Sequence, residues 1–256
     1  MTLPSHIGRP PPLAPGEIAR TWAAAVGGLA LAKLVSFADP TRILAGNLAG
    51  VAALLFIGLP EWRLRARGEE WPEYGVPLHG LADGRTWRAF GRGALVALGV
   101  AAVVFPLFAL AFGAWAELLP RLPAGLAHAL APYGHPPRFA FRLPDRLPLL
   151  AALQLLVVAL PEEMFYRGFM QTAWKRNAPE RGVTVLGARL GHGFLATQAL
   201  FAVGHLVVLE PWRLATFFPG LLFGWLRERT GSVAAPVVLH ALSNLFIATL
   251  EASFYR

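Results

Sequence analysis

Between Leu147 and Leu160 the sequence LPLLAALQLLVVAL carries no charged residue. Stretches of this kind recur along the chain at lengths near the roughly 20 residues that cross a bilayer as a helix. In lipid every backbone N–H and C=O must be bonded within the structure, so segments of this length are predicted as helices. They lie at about residues 22–38, 43–60, 93–116, 147–172, 190–208, 214–227 and 233–250, which makes seven spans. The first and sixth are short or interrupted and the third contains Pro106, where it could break, so the range is six to eight. The expected fold is an all-α, polytopic transmembrane helical bundle with its working core in the last four spans. Composition agrees: 55% of the residues are hydrophobic and 15% charged, against roughly 45–50% and about 25% in soluble domains.

Seven of the eight tryptophans (Trp22, Trp62, Trp87, Trp115, Trp174, Trp212, Trp225) fall near a proposed span end, where an amphipathic ring suits the headgroup zone. The side holding the N-terminal tail and the loops after spans two, four and six carries 14 Lys and Arg, the other side 7, with Lys33 and Arg167 inside spans. Basic residues stay cytoplasmic, so the N-terminus is expected there. The formal charge of +8 gathers into no dense basic run with interleaved aromatics, which argues against nucleic acid as a partner and leaves the lipid bilayer. Cysteine is absent, which excludes disulfides, thiol nucleophiles and Cys-ligated metals. The Arg-, Ala-, Leu- and Pro-rich composition, with Lys33 and Lys175 the only lysines, points to a GC-rich bacterial genome and hence to an inner membrane.

Three regions follow: a Pro-rich cytoplasmic tail at 1–21, N-terminal membrane helices and loops at 22–146, and a C-terminal core at 147–256. Residues 61–92 mix Arg, Glu and Trp as a surface-lying amphipathic stretch does. Residues 119–146 contain Pro120, Pro123, Pro132, Pro136, Pro137 and Pro144, which disfavour a long helix there.

The costly feature is PEEMFYRGFMQ, residues 161–171, at the far end of the fourth span. Three ionisable residues at mid-membrane cost on the order of 8 kcal/mol if unpaired, at roughly 2.5–3.5 each. Glu163 and Arg167 are i and i+4 and can pair on one face. Glu162 points about 100° away and has no cation of its own. That arrangement provides one carboxylate for structure and one to accept a proton from water. Pro161 removes the bond to the Val157 carbonyl and is expected to kink the helix where water needs room. Taken alone, the cluster reads equally well as an anchor snorkelling to the interface.

Two further spans carry polar side chains: His205 in ALFAVGHLVV, and His240 with Asn244 in PVVLHALSNLF. His240 and Asn244 share one face as i and i+4, and Phe201 stands in the same relation to His205. At 1.5 Å per residue, Glu162, His205 and His240 lie roughly 14–22 Å from the cytoplasmic ends of their helices, so they can converge. No HExxH or GxSxG is present. The aspartates Asp39, Asp83 and Asp145 lie outside the confident spans, and Ser243 has no activating partner beyond His240. What remains is a carboxylate to deprotonate water, a histidine to hold or share the proton, and a His/Asn pair to donate to an oxyanion.

Glu162-Glu163-x-x-x-Arg167, Phe201-x-x-x-His205 and His240-x-x-x-Asn244, in this order, resemble the EExxxR, FxxxH and HxxxN motifs of the CPBP intramembrane proteases, the CAAX-protease and bacteriocin-processing (Abi) group. The resemblance covers about residues 147–250. It implies an all-helical enzyme that hydrolyses a peptide bond near the membrane surface, with Glu162 as general base and His205 positioning the water. His240 and Asn244 would form the oxyanion site, supported by Glu163, Arg167 and Phe201. The implied substrate is a membrane-anchored protein or peptide, as in the trimming of prenylated tails or, in the myxosortase branch, of C-terminal sorting tails. No cofactor is expected. Three alternatives stay open: a zinc hydrolase using Glu162, His205 and His240, a non-catalytic membrane scaffold or regulator, and a transporter. Transport calls for inverted repeats, and none is visible.

Overall fold

The computed structural model describes residues 10–80, 82–130, 137–177 and 182–255. Residues 1–9 of the expected tail, Pro132 and Pro136 of the proline-rich loop, and Arg9, Arg181 and Arg256 of the charge count lie outside the described residues. Each predicted span corresponds to a helix: α1 (Pro15–Ala38), α2 (Leu48–Ala66), α3 (Gly84–Leu118), α4 (Leu147–Asn177), α5 (His192–Gly204), α6 (Phe217–Thr230) and α7 (Ala234–Tyr255). By length and composition α1, α3, α4 and α7 can cross a membrane; α5 with its 3-10 extension to Val208 is a shorter apolar helix.

Local chemistry moves several boundaries. Helix α1 begins at Pro15, where a missing N–H costs nothing, and the Glu17 carboxylate accepts from Ala14 N at 3.0 Å. Helix α3 begins at Gly84 because the Asp83 side chain caps it, accepting from Arg85 N at 2.7 Å. Residues 61–92 are therefore not one surface stretch: 61–66 complete α2, 71–74 form a 3-10 turn and 84–92 open α3. Helix α3 continues through Pro106 without a break. In 119–146 the described residues form only short turns, a seven-residue helix (Ala124–Leu130) and an extended run. A small antiparallel hairpin, β1 (Val183–Val185) and β2 (Ala188–Leu190), precedes α5. Its two-residue turn holds Leu186 and Gly187 at φ 46° and 77°, the left-handed pair that tight hairpins require.

The bundle sorts its side chains by medium. Leu54, Leu95, Leu98, Leu107, Leu110 and Leu156 are exposed on the outer faces, whereas Glu163, Arg167, Gln171 and Gln198 are buried. Lipid accepts the former, and only the interior can satisfy the latter. The α3–α7 pairing is the most extensive helix–helix contact. It is a small-residue seam of Gly93, Ala97 and Ala101 against Ala234 and Ala235, so close that a Cβ at Gly93 would lie 2.7 Å from Ala234.

The connectors divide between two ends. At one end Arg176 Nη1 donates to Glu69 Oε1 (2.7 Å), Arg227 Nη2 to Tyr74 O (3.0 Å), Val233 N to Gly75 O (2.8 Å) and Asn177 Nδ2 to Leu13 O (2.6 Å). These bonds gather the N-terminal lead, the α2–α3 connector, the end of α4 and the α6–α7 turn. At the other end the extended run from residue 138 lies along the end of α7, with Arg138 N bonded to Phe254 O (2.9 Å) and Ala140 N to Ser253 O (2.8 Å).

Candidate active site

Helix α4 runs unbroken through Pro161 as one 31-residue element. Around the proline the backbone pairing is disturbed: π-helical turns at 154–159 and 164–170 flank it. Leu160 N–H reaches Leu155 O, five residues back, so the pairing shifts in register and the helix tolerates the missing donor. Such wide turns mark functional stretches of helices more often than plain scaffold.

Glu163 and Arg167 pair as the spacing predicts, Nη1 to Oε1 at 2.8 Å, with both side chains fully buried. The same Glu163 Oε1 accepts from His240 Nδ1 at 2.8 Å. A carboxylate in an ion pair only accepts, so Nδ1 carries the hydrogen and Nε2 of the neutral ring carries the lone pair. That Nε2 lies 3.9 Å from Glu162 Oε2. His205 Nδ1 likewise donates to Phe201 O at 2.8 Å, which leaves its Nε2 as the acceptor in the neutral ring. Phe201 packs edge-on to both rings, with centroids 4.6 Å from His205 and 6.1 Å from His240, and Phe223 stacks on His240 at 4.9 Å.

Glu162, His205, His240 and Asn244, with Phe201, line one cavity of about 530 Å³. Glu163 and Arg167 stand behind its wall. Glu162 Oε2 is buried without a hydrogen-bond partner, an arrangement costly for a polar group unless something in the cavity meets it. Asn244 Nδ2 donates to Gln154 Oε1 at 2.8 Å, which uses one of its two amide hydrogens and leaves the other for the cavity. Among the described residues no three His, Asp or Glu side chains are arranged to hold a metal ion. The trio Glu162, His205 and His240 thus shares a cavity without forming a ligand set.

Sequence reasoning missed three glutamines. Besides Gln154, Gln198 Oε1 accepts from Arg167 Nη2 (2.8 Å), Gln198 Nε2 donates to Gln171 Oε1 (3.1 Å), and Gln171 Nε2 donates to Glu228 Oε1 (2.9 Å), whose other oxygen accepts from Lys175. Arg167 can only donate and the Glu228 carboxylate can only accept, so both amides are fixed in one orientation. Gly220 and Gly224 of α6 supply carbonyls to Arg167 and Gln171, and a Cβ at Gly224 would fall 2.5 Å from Gln198 Nε2. The available signal was an amide at helical spacing from a charged or ring residue: Gln154 two turns before Glu162, Gln171 one turn after Arg167, Gln198 two turns before His205.

The chain is a polytopic helical protein whose cavity is lined by a carboxylate without a hydrogen-bond partner, two imidazoles and an amide. Residues 144–246 match the family model described as type II CAAX prenyl endopeptidase Rce1-like. The match spans α4 to the middle of α7 and bears out the CPBP resemblance carried by the three motifs; it supports a membrane protease of the CAAX type. Comparison with curated proteins and with solved structures gave no match.

Proposed function

We propose that the protein is a glutamate-dependent intramembrane endopeptidase acting on a membrane-anchored protein or peptide. The observation that carries this reading is Glu162 Oε2, buried and unpartnered on the cavity wall and 3.9 Å from His240 Nε2. In this reaction Glu162 takes a proton from water, with His205 Nε2 accepting the water's second hydrogen bond. The resulting hydroxide adds to the carbonyl carbon of the scissile bond. The oxyanion accepts from Asn244 Nδ2 and, in the doubly protonated ring, from His240 Nε2–H, while Glu163 carries the counter-charge. Collapse breaks the C–N bond, and the proton held by Glu162 passes to the leaving amine.

The family match and the shared cavity support these roles. The orientation we propose places the basic end of the bundle in the cytoplasm of a bacterial cell. Metal-independent chemistry is part of the proposal, and chelation tests it. Detergent-solubilised protein should keep its activity on membrane-tail peptides in strong chelator and contain no stoichiometric zinc. Loss on chelation with recovery on adding zinc would replace this mechanism by the metal one. Activity that survives Glu162→Gln in either condition would remove Glu162 as the base.

A further inference from the structure

The cavity draws on six helices, each toward the same end of the bundle. It takes Leu29 and Lys33 from α1, residues 48–56 from α2, 154–166 from α4 and 240–251 from α7. These stretches lie toward the α1–α2 connector, the extended run 138–142 and the C-terminal end of α7, and reach past the midpoint in α4 and α7. Its rim includes Trp212, Arg213 and Thr216 of the α5–α6 connector. Among the described residues, none of its lining comes from the N-terminal lead, 67–83, 182–191 or 231–233.

Behind the site, toward that second end, the bundle is closed. Arg167, Gln171 and Gln198 are at most 1% exposed, and Phe165, Phe169, Met170 and Leu226 are completely buried. Among the described residues this layer of packed rings and bonded polar groups shields the site on that side. Charge is distributed the other way: among the described residues 12 Lys and Arg belong to the closed end and 6 to the cavity end. Basic segments are retained in the cytoplasm.

We infer that the cavity opens on the extracytoplasmic side of the membrane, and that its substrate is a membrane-anchored protein or peptide presenting the cleaved segment on that side. The substrate class rests on the peptidase reading above; the direction of opening rests on the end of the bundle from which the cavity's lining comes and on the charge asymmetry. A substrate anchored beside the bundle reaches Glu162 from the rim without carrying polar backbone through the closed layer.

The chain's lack of cysteine makes the test direct. Ile43 at the cavity end and Val183 at the closed end are both 67% exposed, and Ser243 lines the cavity. Ile43→Cys, Val183→Cys and Ser243→Cys are each made in the full chain and treated with a membrane-impermeant thiol reagent in sealed right-side-out vesicles. Labelling of the Ile43→Cys and Ser243→Cys variants, with the Val183→Cys variant reacting only after permeabilisation, is the expected result. The reverse pattern, or equal labelling of the Ile43→Cys and Val183→Cys variants in sealed vesicles, overturns the proposal. Protein termini that depend on Glu162 are then mapped onto their substrates. Cleavage on the cytoplasmic side overturns the extracytoplasmic substrate while leaving the peptidase reading intact. Correct labelling without any Glu162-dependent terminus overturns the peptidase reading and the substrate class with it, and leaves the direction of opening standing.

Discussion

Two arginines nine residues apart on α4 organise two polar clusters of similar design. Arg167 lies over the Phe201 ring at 4.2 Å and pairs with Glu163; Arg176 lies over the Tyr74 ring at 4.3 Å and pairs with Glu69. The difference is in what the carboxylates leave over. Both oxygens of Glu69 are used, Oε1 by Arg176 and Oε2 by Arg67 and Tyr74. In the intramembrane cluster Glu162 Oε2 and Glu163 Oε2 are both buried without a partner. The cluster at the membrane edge is closed on itself and ties a connector to the bundle. The one within the membrane leaves two acceptors unmet, Glu162 Oε2 at the cavity and Glu163 Oε2 behind its wall, at a cost that structure alone does not require.

Substitutions sharpen that contrast, beginning with the largest effect. Arg167→Met strands Glu163 in the bundle, and removing one partner of a buried pair costs about 3–5 kcal/mol. Thermal unfolding in detergent should show a large loss of stability, with little folded protein recovered. Gln198→Glu keeps the acceptor for Arg167 but can no longer donate to Gln171. The expected outcome is a folded protein with a lowered kcat and little change in KM, because His240 is held through Glu163 and Arg167.

Effects at the membrane edge are smaller. Glu69→Gln weakens bonds to Arg67, Arg176 and Tyr74 by about 1–2 kcal/mol in total, and kcat should stay within twofold. Acid does the same reversibly. Burial pushes the Glu69 carboxyl up, but the bonds from Arg67 and Tyr74 and the charge of Arg176 outweigh it and hold it below its ordinary value of 4.5. Its contribution is present above that value and is lost as pH falls below it. Protection of the amides in residues 67–80, taken relative to the intrinsic exchange rate at each pH, should therefore fall between about pH 5 and pH 3, the window set by a depressed carboxylate, and that fall should vanish in the Glu69→Gln variant. Asp83→Ala, at the solvent-facing start of α3, should change the melting temperature least.

Much of this was legible in the chain. Apolar length located the long helices α1–α7, and i, i+4 spacing found the Glu163–Arg167 pair and the shared face of His240 and Asn244. Boundaries shifted where caps decide, at Pro15 and Asp83. Pro161 was read as a kink, and the π-turns on either side of it, which rest on backbone pairing, carry no signature in residue spacing. The bond between Glu163 and His240 joins residues 77 positions apart, and no local spacing encodes it. Nor does spacing encode the glutamine chain, since amides in apolar spans carry no charge to draw attention.

The central claim is that Glu162 is the base that activates water, and Glu162→Gln tests it with the least disturbance, since it is isosteric and breaks no hydrogen bond made by Glu163. Membrane-protein termini compared by mass spectrometry between cells with the native chain and cells with the Glu162→Gln variant, at matched protein levels, give the answer. The account predicts that a discrete set of processed termini disappears and the uncleaved precursors accumulate. Identical termini in the two strains would contradict it.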